Sequence, residues 1–206
     1  MAQESLPLWK KYRGKFFWDN SSLYWGDRFQ FPRIPIDPLD IGRGMGIKME
    51  QLPASSPYSV EVEVSGNKAT VRYIKWSTAR RNDLPIWWTR FFAAFGIGAV
   101  MTSSGNFTKK YIFADLKSRA FEYACDLLMP EHSYRPAFRV LVKAAPSPTW
   151  TAIKGWCSRF ILRREPHVEN TEEEEPLMDM ARYFQVPLVY MKMRFQDLYS
   201  LGKRRS

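Results

Sequence analysis

Imidazoles and thiols are scarce in this 206-residue chain: two histidines, His132 and His167, and two cysteines, Cys125 and Cys157. No two of them stand at the compact spacing of a metal site, and two cysteines make no disulfide framework. A nucleophilic Cys–His pair would need the fold to bring distant residues together, and no local motif announces one. The simpler expectation is two surface histidines and two cysteines acting as small buried apolar residues. Among the carboxylates, Asp115, Glu122 and Asp126 lie in or just before the stretch KSRAFEYACDLLMP. Acid–base chemistry is one use for them. The helical period of that stretch instead assigns them to its solvated side.

The elements that would position these groups can be read in order. Asp37 before Pro38 is an N-cap followed by proline at the first helical position, with the helix ending near Gly44. Ile47–Gln51 leaves as a strand. YSVEVEV and ATVRYIKW alternate apolar and polar residues around the turn SGNK, which predicts a hairpin. Pro85, with Asp83 nearby as a cap, opens a helix over Ile86–Met101 that is apolar nearly all round and therefore central. FTKKYIFADLK suits neither period. Lys117–Pro130 is an amphipathic helix whose buried face is Ala120, Tyr123, Ala124, Leu127 and Leu128, and Arg135–Lys143 suggests a further helical piece. Near the C-terminus a helix, a turn at Gln185–Pro187 and a second helix to about Leu201 follow. No internal repeat appears. The fold class is α+β, a small antiparallel sheet against several helices. The chain divides into an aromatic and basic arm (1–30), a core (31–143), an insertion with an acidic linker (144–177), and a C-terminal helix pair with a basic tail (178–206).

Charge and composition narrow the function classes. Apolar residues make up 45% and aromatic residues 16% of the chain, which excludes a disordered protein and leaves enough aromatic side chains for a contact surface as well as a core. The net charge is +10, and residues 165–179 hold seven acids and no base. The remainder therefore carries 31 bases against 14 acids, a body attractive to nucleic acid or to an acidic protein. The run Glu172–Glu175 reads as a solvated linker, or more sharply as a segment that folds back to mask the basic body. The C-terminal pair has the spacing of a helix-turn-helix, and Lys192, Arg194, Lys203, Arg204 and Arg205 are its candidate phosphate contacts. The simpler reading is that the pair completes the core, since LVYMKMRF is rich in apolar residues. No signal-peptide core opens the sequence, and the apolar run Ile86–Met101, broken by Thr89 and Arg90, is too short to span a bilayer, so a cytoplasmic protein is expected.

RAFEYACDLLMPE resembles the signature of the ImmA/IrrE family of zinc metallopeptidase-like proteins, a helix reading E-x-x-A-N-x-F-A-x-x-L-L-M-P. Ala120, Tyr123, Ala124 and Leu127–Pro130 take its places. IPIDPLDIGRGMGIKM is similar to that family's proline-bounded opening helix and following strand. MARYFQVPLVYMKMRFQDL resembles its closing helix pair, with Pro187 in place of a serine. The resemblance covers roughly residues 30–202 without the insertion, and it implies a zincin-like metallopeptidase fold.

The family's preceding helix reads R-F-T-x-A-H-E-x-G-H. In that register Arg90, Phe91, Ala94 and Gly98 match, but Phe95 and Ala99 stand for the two zinc-binding histidines, Gly96 for the general-base glutamate and Lys117 for the third ligand. Histidines at i and i+4 present two nitrogens to zinc from one helical face, and the glutamate takes a proton from metal-bound water. Phe95, Gly96 and Ala99 offer no lone pair, and Lys117 places an ammonium where a cation would sit. The resemblance thus implies a catalytically inactive member, with no metal and no cofactor. Family members are often encoded by phages and mobile elements and act with helix-turn-helix repressors, which the active ones cleave. A regulatory protein that binds such a partner is the leading expectation. A nucleic-acid-binding protein is the alternative, and an enzyme with a relocated site is a third. Phe95→His, Gly96→Glu, Ala99→His and Lys117→Glu made together are expected to restore zinc binding.

Overall fold

The computed structural model describes residues 6–11, 13–14, 34–77, 84–112, 118–130, 133–137 and 175–202. Its elements are α1 (Leu8–Lys11), α2 (Pro38–Gly44), β1 (Ile47–Leu52), β2 (Val60–Ser65), β3 (Lys68–Ile74), α3 (Pro85–Thr102), β4 (Phe107–Tyr111), α4 (Arg119–Leu128), α5 (Glu175–Phe184) and α6 (Leu188–Gly202). Residues 133–137 form a further helical turn.

Local chemistry accounts for most of these boundaries. Asp37 is extended and its Oδ1 accepts the Leu39 amide at 2.9 Å, while Pro38 occupies the first helical turn. Gly46, at φ +78°, then swings the chain into β1, a conformation that a side chain would resist. The β2–β3 hairpin closes on Gly66, at φ +58°. Pro85 lies at the start of α3 as expected, but the N-cap position is Leu84, which has no side-chain bond to the helix. Asp83, expected as the cap, lies outside the described residues.

The sheet is mixed, with order β1-β3-β2-β4, and this corrects the expected antiparallel arrangement. β2 pairs antiparallel with β3 and β4, but β1 runs parallel to β3, from Ile47 opposite Ala69 to Leu52 opposite Ile74. After β1 the chain carries β2 past its neighbour's place, and the hairpin return inserts β3 between them. Alternation tells which face a residue occupies, and neighbour order depends on contacts distant in sequence. FTKKY, ambiguous by period, becomes β4 because its backbone completes β2's free edge.

One face of the sheet (Val60, Val62, Val64, Ala69, Val71, Tyr73) is buried under α3. The other carries ion pairs, with Arg72 linked to Glu50 at 3.0 Å and Lys110 to Glu61 at 3.3 Å. α3 runs beside α4, whose expected face is buried together with Phe121 and Cys125. A single apolar cluster takes in Trp9 of α1, the sheet, α3, α4 and the C-terminal pair as far as Phe195. α1 is tied down by the Trp9 amide on the Met45 carbonyl at 3.1 Å, so this part of the expected arm belongs to the core. Among the described residues no helix is long and apolar enough to cross a membrane.

Two glycines make α3's position workable. A Cβ on Gly96 would stand 2.2 Å from Val71 Cγ1, and one on Gly98 would stand 2.4 Å from the Ala120 carbonyl oxygen. Gly98 therefore meets rigid backbone, whereas Gly96 meets a side chain. Alanine gains about 1 kcal/mol over glycine in an ordinary helix interior, but overpacking costs typically 1–3 kcal/mol or more, so the sign reverses here. Urea denaturation should show Gly98→Ala destabilised by about 1–3 kcal/mol. Gly96→Ala should be destabilised in the native background and at least half rescued when Val71→Ala opens the space. A Gly98→Ala protein as stable as the parent would refute this packing.

Candidate functional site

Phe95 and Ala99 are four residues apart on α3 and so share a face, and both are buried. The Phe95 ring meets Tyr111, on the edge strand β4, edge to face with centroids 5.0 Å apart. Lys109 Nζ lies 5.0 Å from the Tyr111 ring centre, and burial raises the phenol's pKa above its ordinary value. The face on which the resemblance would align two zinc-binding histidines is therefore lined by a phenyl ring and a methyl group. Neither supplies an electron pair, so the zinc that the family resemblance implies does not match the donor set present at these positions. Among the described residues no group of three or more His, Cys, Asp or Glu could hold a metal ion elsewhere. Lys117, aligned with the third ligand, lies outside the described residues, as do Asp115, His132, His167 and Cys157.

Gly96 points to the sheet, toward Val71 and Val60, and not along the Phe95–Ala99 face. A glutamate there would first have to displace the Val71 side chain. The expected restoration of all four functional side chains therefore meets a steric obstacle at residue 96, where the Val71 side chain occupies the space.

The expected cation surface also changes. Arg194 does not face solvent. Its Nη2 donates to Asp126 Oδ1 of α4 at 3.1 Å, with side chains 12% and 15% exposed. This removes Arg194 from the candidate phosphate contacts and corrects the placement of Asp126 on a solvated face. Lys192 is half-buried, and Lys203, Arg204 and Arg205 lie outside the described residues. Glu122 is exposed, as expected, and Cys125 is buried. The cause is packing: Tyr190 stacks on Phe91 with centroids 3.6 Å apart and meets Trp88 edge-on at 5.4 Å. Those contacts set the face of α6 that turns inward and bring Arg194 over α4.

Arg90 carries more structure than its sequence position suggested. It donates Nη1 to Gln185 Oε1 at 2.6 Å and Nη2 to the Ile36 carbonyl, joining α3 to the α5–α6 turn and to the segment before α2. Gln185 sits at φ +52°, an uncommon conformation for a residue with a Cβ. Burial lowers the Arg90 pKa, and the nearby Asp37 charge partly opposes the effect. The one sequence signal was an arginine inside an apolar helix. Nothing in the sequence named its acceptors.

Removing one partner of a largely buried pair leaves the other charge without compensation, which costs roughly 3–5 kcal/mol. Arg194→Ala should therefore lose stability on that scale in urea denaturation, as should Asp126→Ala, with the double variant losing clearly less than their sum. Strict additivity would return Arg194 to the list of surface cations. No family model, no curated protein and no solved structure matches this chain.

Proposed function

We propose that this chain is a catalytically inactive relative of the ImmA/IrrE metallopeptidase-like proteins, of phage or mobile-element origin, that works in the cytoplasm by binding a partner protein such as a helix-turn-helix repressor. The observation that carries the reading is the Phe95–Tyr111 contact on the face where the resemblance aligns the zinc ligands. An apolar helix lies beside a helix ending Leu127–Pro130, under a small sheet whose edge strand borders that face. This arrangement suits a zincin-like ancestry in which aromatic packing has taken the place of metal coordination. A buried phenylalanine contributes about 1.5–3 kcal/mol of transfer free energy, so the substitution favours the fold while removing the chemistry. What remains for function is recognition, and without a nucleophile or metal at that face the bound partner is left intact.

The alternative, a nucleic-acid-binding protein acting through its basic surface and C-terminal helix pair, draws on the +10 net charge. It is weakened by the ion pair that engages Arg194. The two readings differ in salt response, since binding to phosphates falls steeply with added salt, whereas a partner held by apolar anchors releases little.

Elemental analysis of the purified chain should find less than about a tenth of an equivalent of zinc, against the full equivalent of an intact tetrahedral site. The triple variant Phe95→His, Ala99→His and Lys117→Glu, with Gly96 retained, should take up close to one equivalent. Stoichiometric zinc in the parent would overturn the inactive-site reading, and a folded triple variant that takes up none would overturn the register. Incubated with the repressor of its own mobile element, the parent should co-elute with it in gel filtration and leave it uncleaved. Cleavage, or co-purifying nucleic acid released by salt with no repressor bound, would reject the regulatory-binding reading.

A further inference from the structure

The side of α3 opposite Phe95 opens on a cavity. Helical geometry puts Ile86, Arg90 and Ala93 on that side, and the space they border holds about 310 Å³, with Leu39 and Asp37 of the α2 end and Gln185 of the α5–α6 turn around it. The volume lies at the small end of ligand sites and suits a body the size of one amino-acid residue. Two walls differ in character. Leu39, Ile86 and Ala93 are apolar. Arg90 supplies a guanidinium whose acceptors among the described residues, Gln185 Oε1 and the Ile36 carbonyl, are both uncharged.

That pairing is unusual for a largely buried cation. A guanidinium has five N–H donors in a planar fork suited to a carboxylate, and a buried charge is ordinarily matched by an opposite one. Among the described residues no carboxylate lies within ion-pair distance of Arg90. Asp37 borders the same cavity, but its Oδ1 accepts the Leu39 amide and it makes no ion pair with Arg90. Loss of hydration lowers the Arg90 pKa, the direction that an incoming anion would reverse. The Asp37 charge at the same cavity opposes any anion, about twice as strongly for a phosphate dianion as for a carboxylate, so a monoanion is favoured of the two.

We propose that this cavity binds the carboxylate of a ligand with an apolar body, with Arg90 as the carboxylate anchor and Leu39, Ile86 and Ala93 against the apolar part. A free small acid and the C-terminal residue of a peptide share this chemistry. The site stands apart from the vestigial zinc face and does not depend on the peptidase-like reading. Because Gln185 belongs to the turn between α5 and α6, an occupant would also bear on how the C-terminal pair is held.

Ile86 is 53% exposed at this site, so it can be changed without disturbing the core. The full chain is titrated with N-acetyl-leucine, N-acetyl-leucinamide and inorganic phosphate while the methyl resonances of Leu39, Ile86 and Ala93 are followed by NMR. Saturable shifts are expected with N-acetyl-leucine, at least tenfold weaker binding with the uncharged amide, and none with phosphate. Ile86→Glu, which places a competing anion at the site, should weaken N-acetyl-leucine at least tenfold relative to Ile86→Gln, and Arg90→Gln should abolish the response if it folds. A hexapeptide ending in a free leucine carboxylate separates the sources. Tenfold tighter binding than the single residue identifies a peptide end, and equal or weaker binding identifies a small acid. Equal affinities for acid and amide, tighter binding of phosphate, or Ile86→Glu indistinguishable from Ile86→Gln would each overturn the proposal.

Discussion

The close approach of α3 to two neighbours at once is the constraint on which the rest of this structure depends. Gly96 lets the helix settle on Val71 and Val60 of the sheet, and Gly98 lets the α4 backbone come within van der Waals distance. A helix with side chains at both positions would stand away from each neighbour, and the contacts that fill the centre would lose partners. Dispersion falls off steeply with separation, so a small retreat at two points would weaken the whole layer. Glycine's poor helix propensity is the cost of this geometry, and it is small beside the packing it permits.

From that position α3 organises the aromatic residues. On the side toward α4 and α6, Phe91 stacks on Tyr190 and meets Phe121 with centroids 5.7 Å apart. Trp88 joins Tyr190 to Trp76. On the side toward β4, Phe95 meets Tyr111. The large aromatic content, which composition alone could assign to a surface or to a core, is in these residues part of the interior. The same contacts attach the C-terminal pair, burying Met180, Phe184, Met191 and Phe195. A pair of helices with the spacing of a DNA reader thus serves here to close the core, and its Arg194 is turned to Asp126.

Arg90 shows the opposite use of α3. Its side faces away from Phe95 and links three parts of the chain that are remote in sequence, through acceptors at Ile36 and Gln185. This partly buried cation is held by neutral oxygens and borders a cavity.

By itself the sequence determined the elements whose signals are local. Asp37–Pro38 started α2, the alternation of VEVEV and ATVRY made a hairpin, Pro85 opened a long apolar helix, and Gln185–Pro187 broke the C-terminal pair, because capping, periodicity and turn chemistry act over a few residues. That Phe95, Gly96 and Ala99 offer no metal-binding side chain was likewise legible, since a residue type either carries a lone pair or does not. Tertiary structure alone decided the rest. It placed β3 between β1 and β2, made FTKKY a strand, turned Gly96 toward the sheet, buried Arg194 on Asp126 and gave Arg90 its acceptors across 54 and 95 residues. In each case the deciding partner lies far along the chain, and no local period records which distant atom will arrive to complete a hydrogen bond, a strand edge or an ion pair.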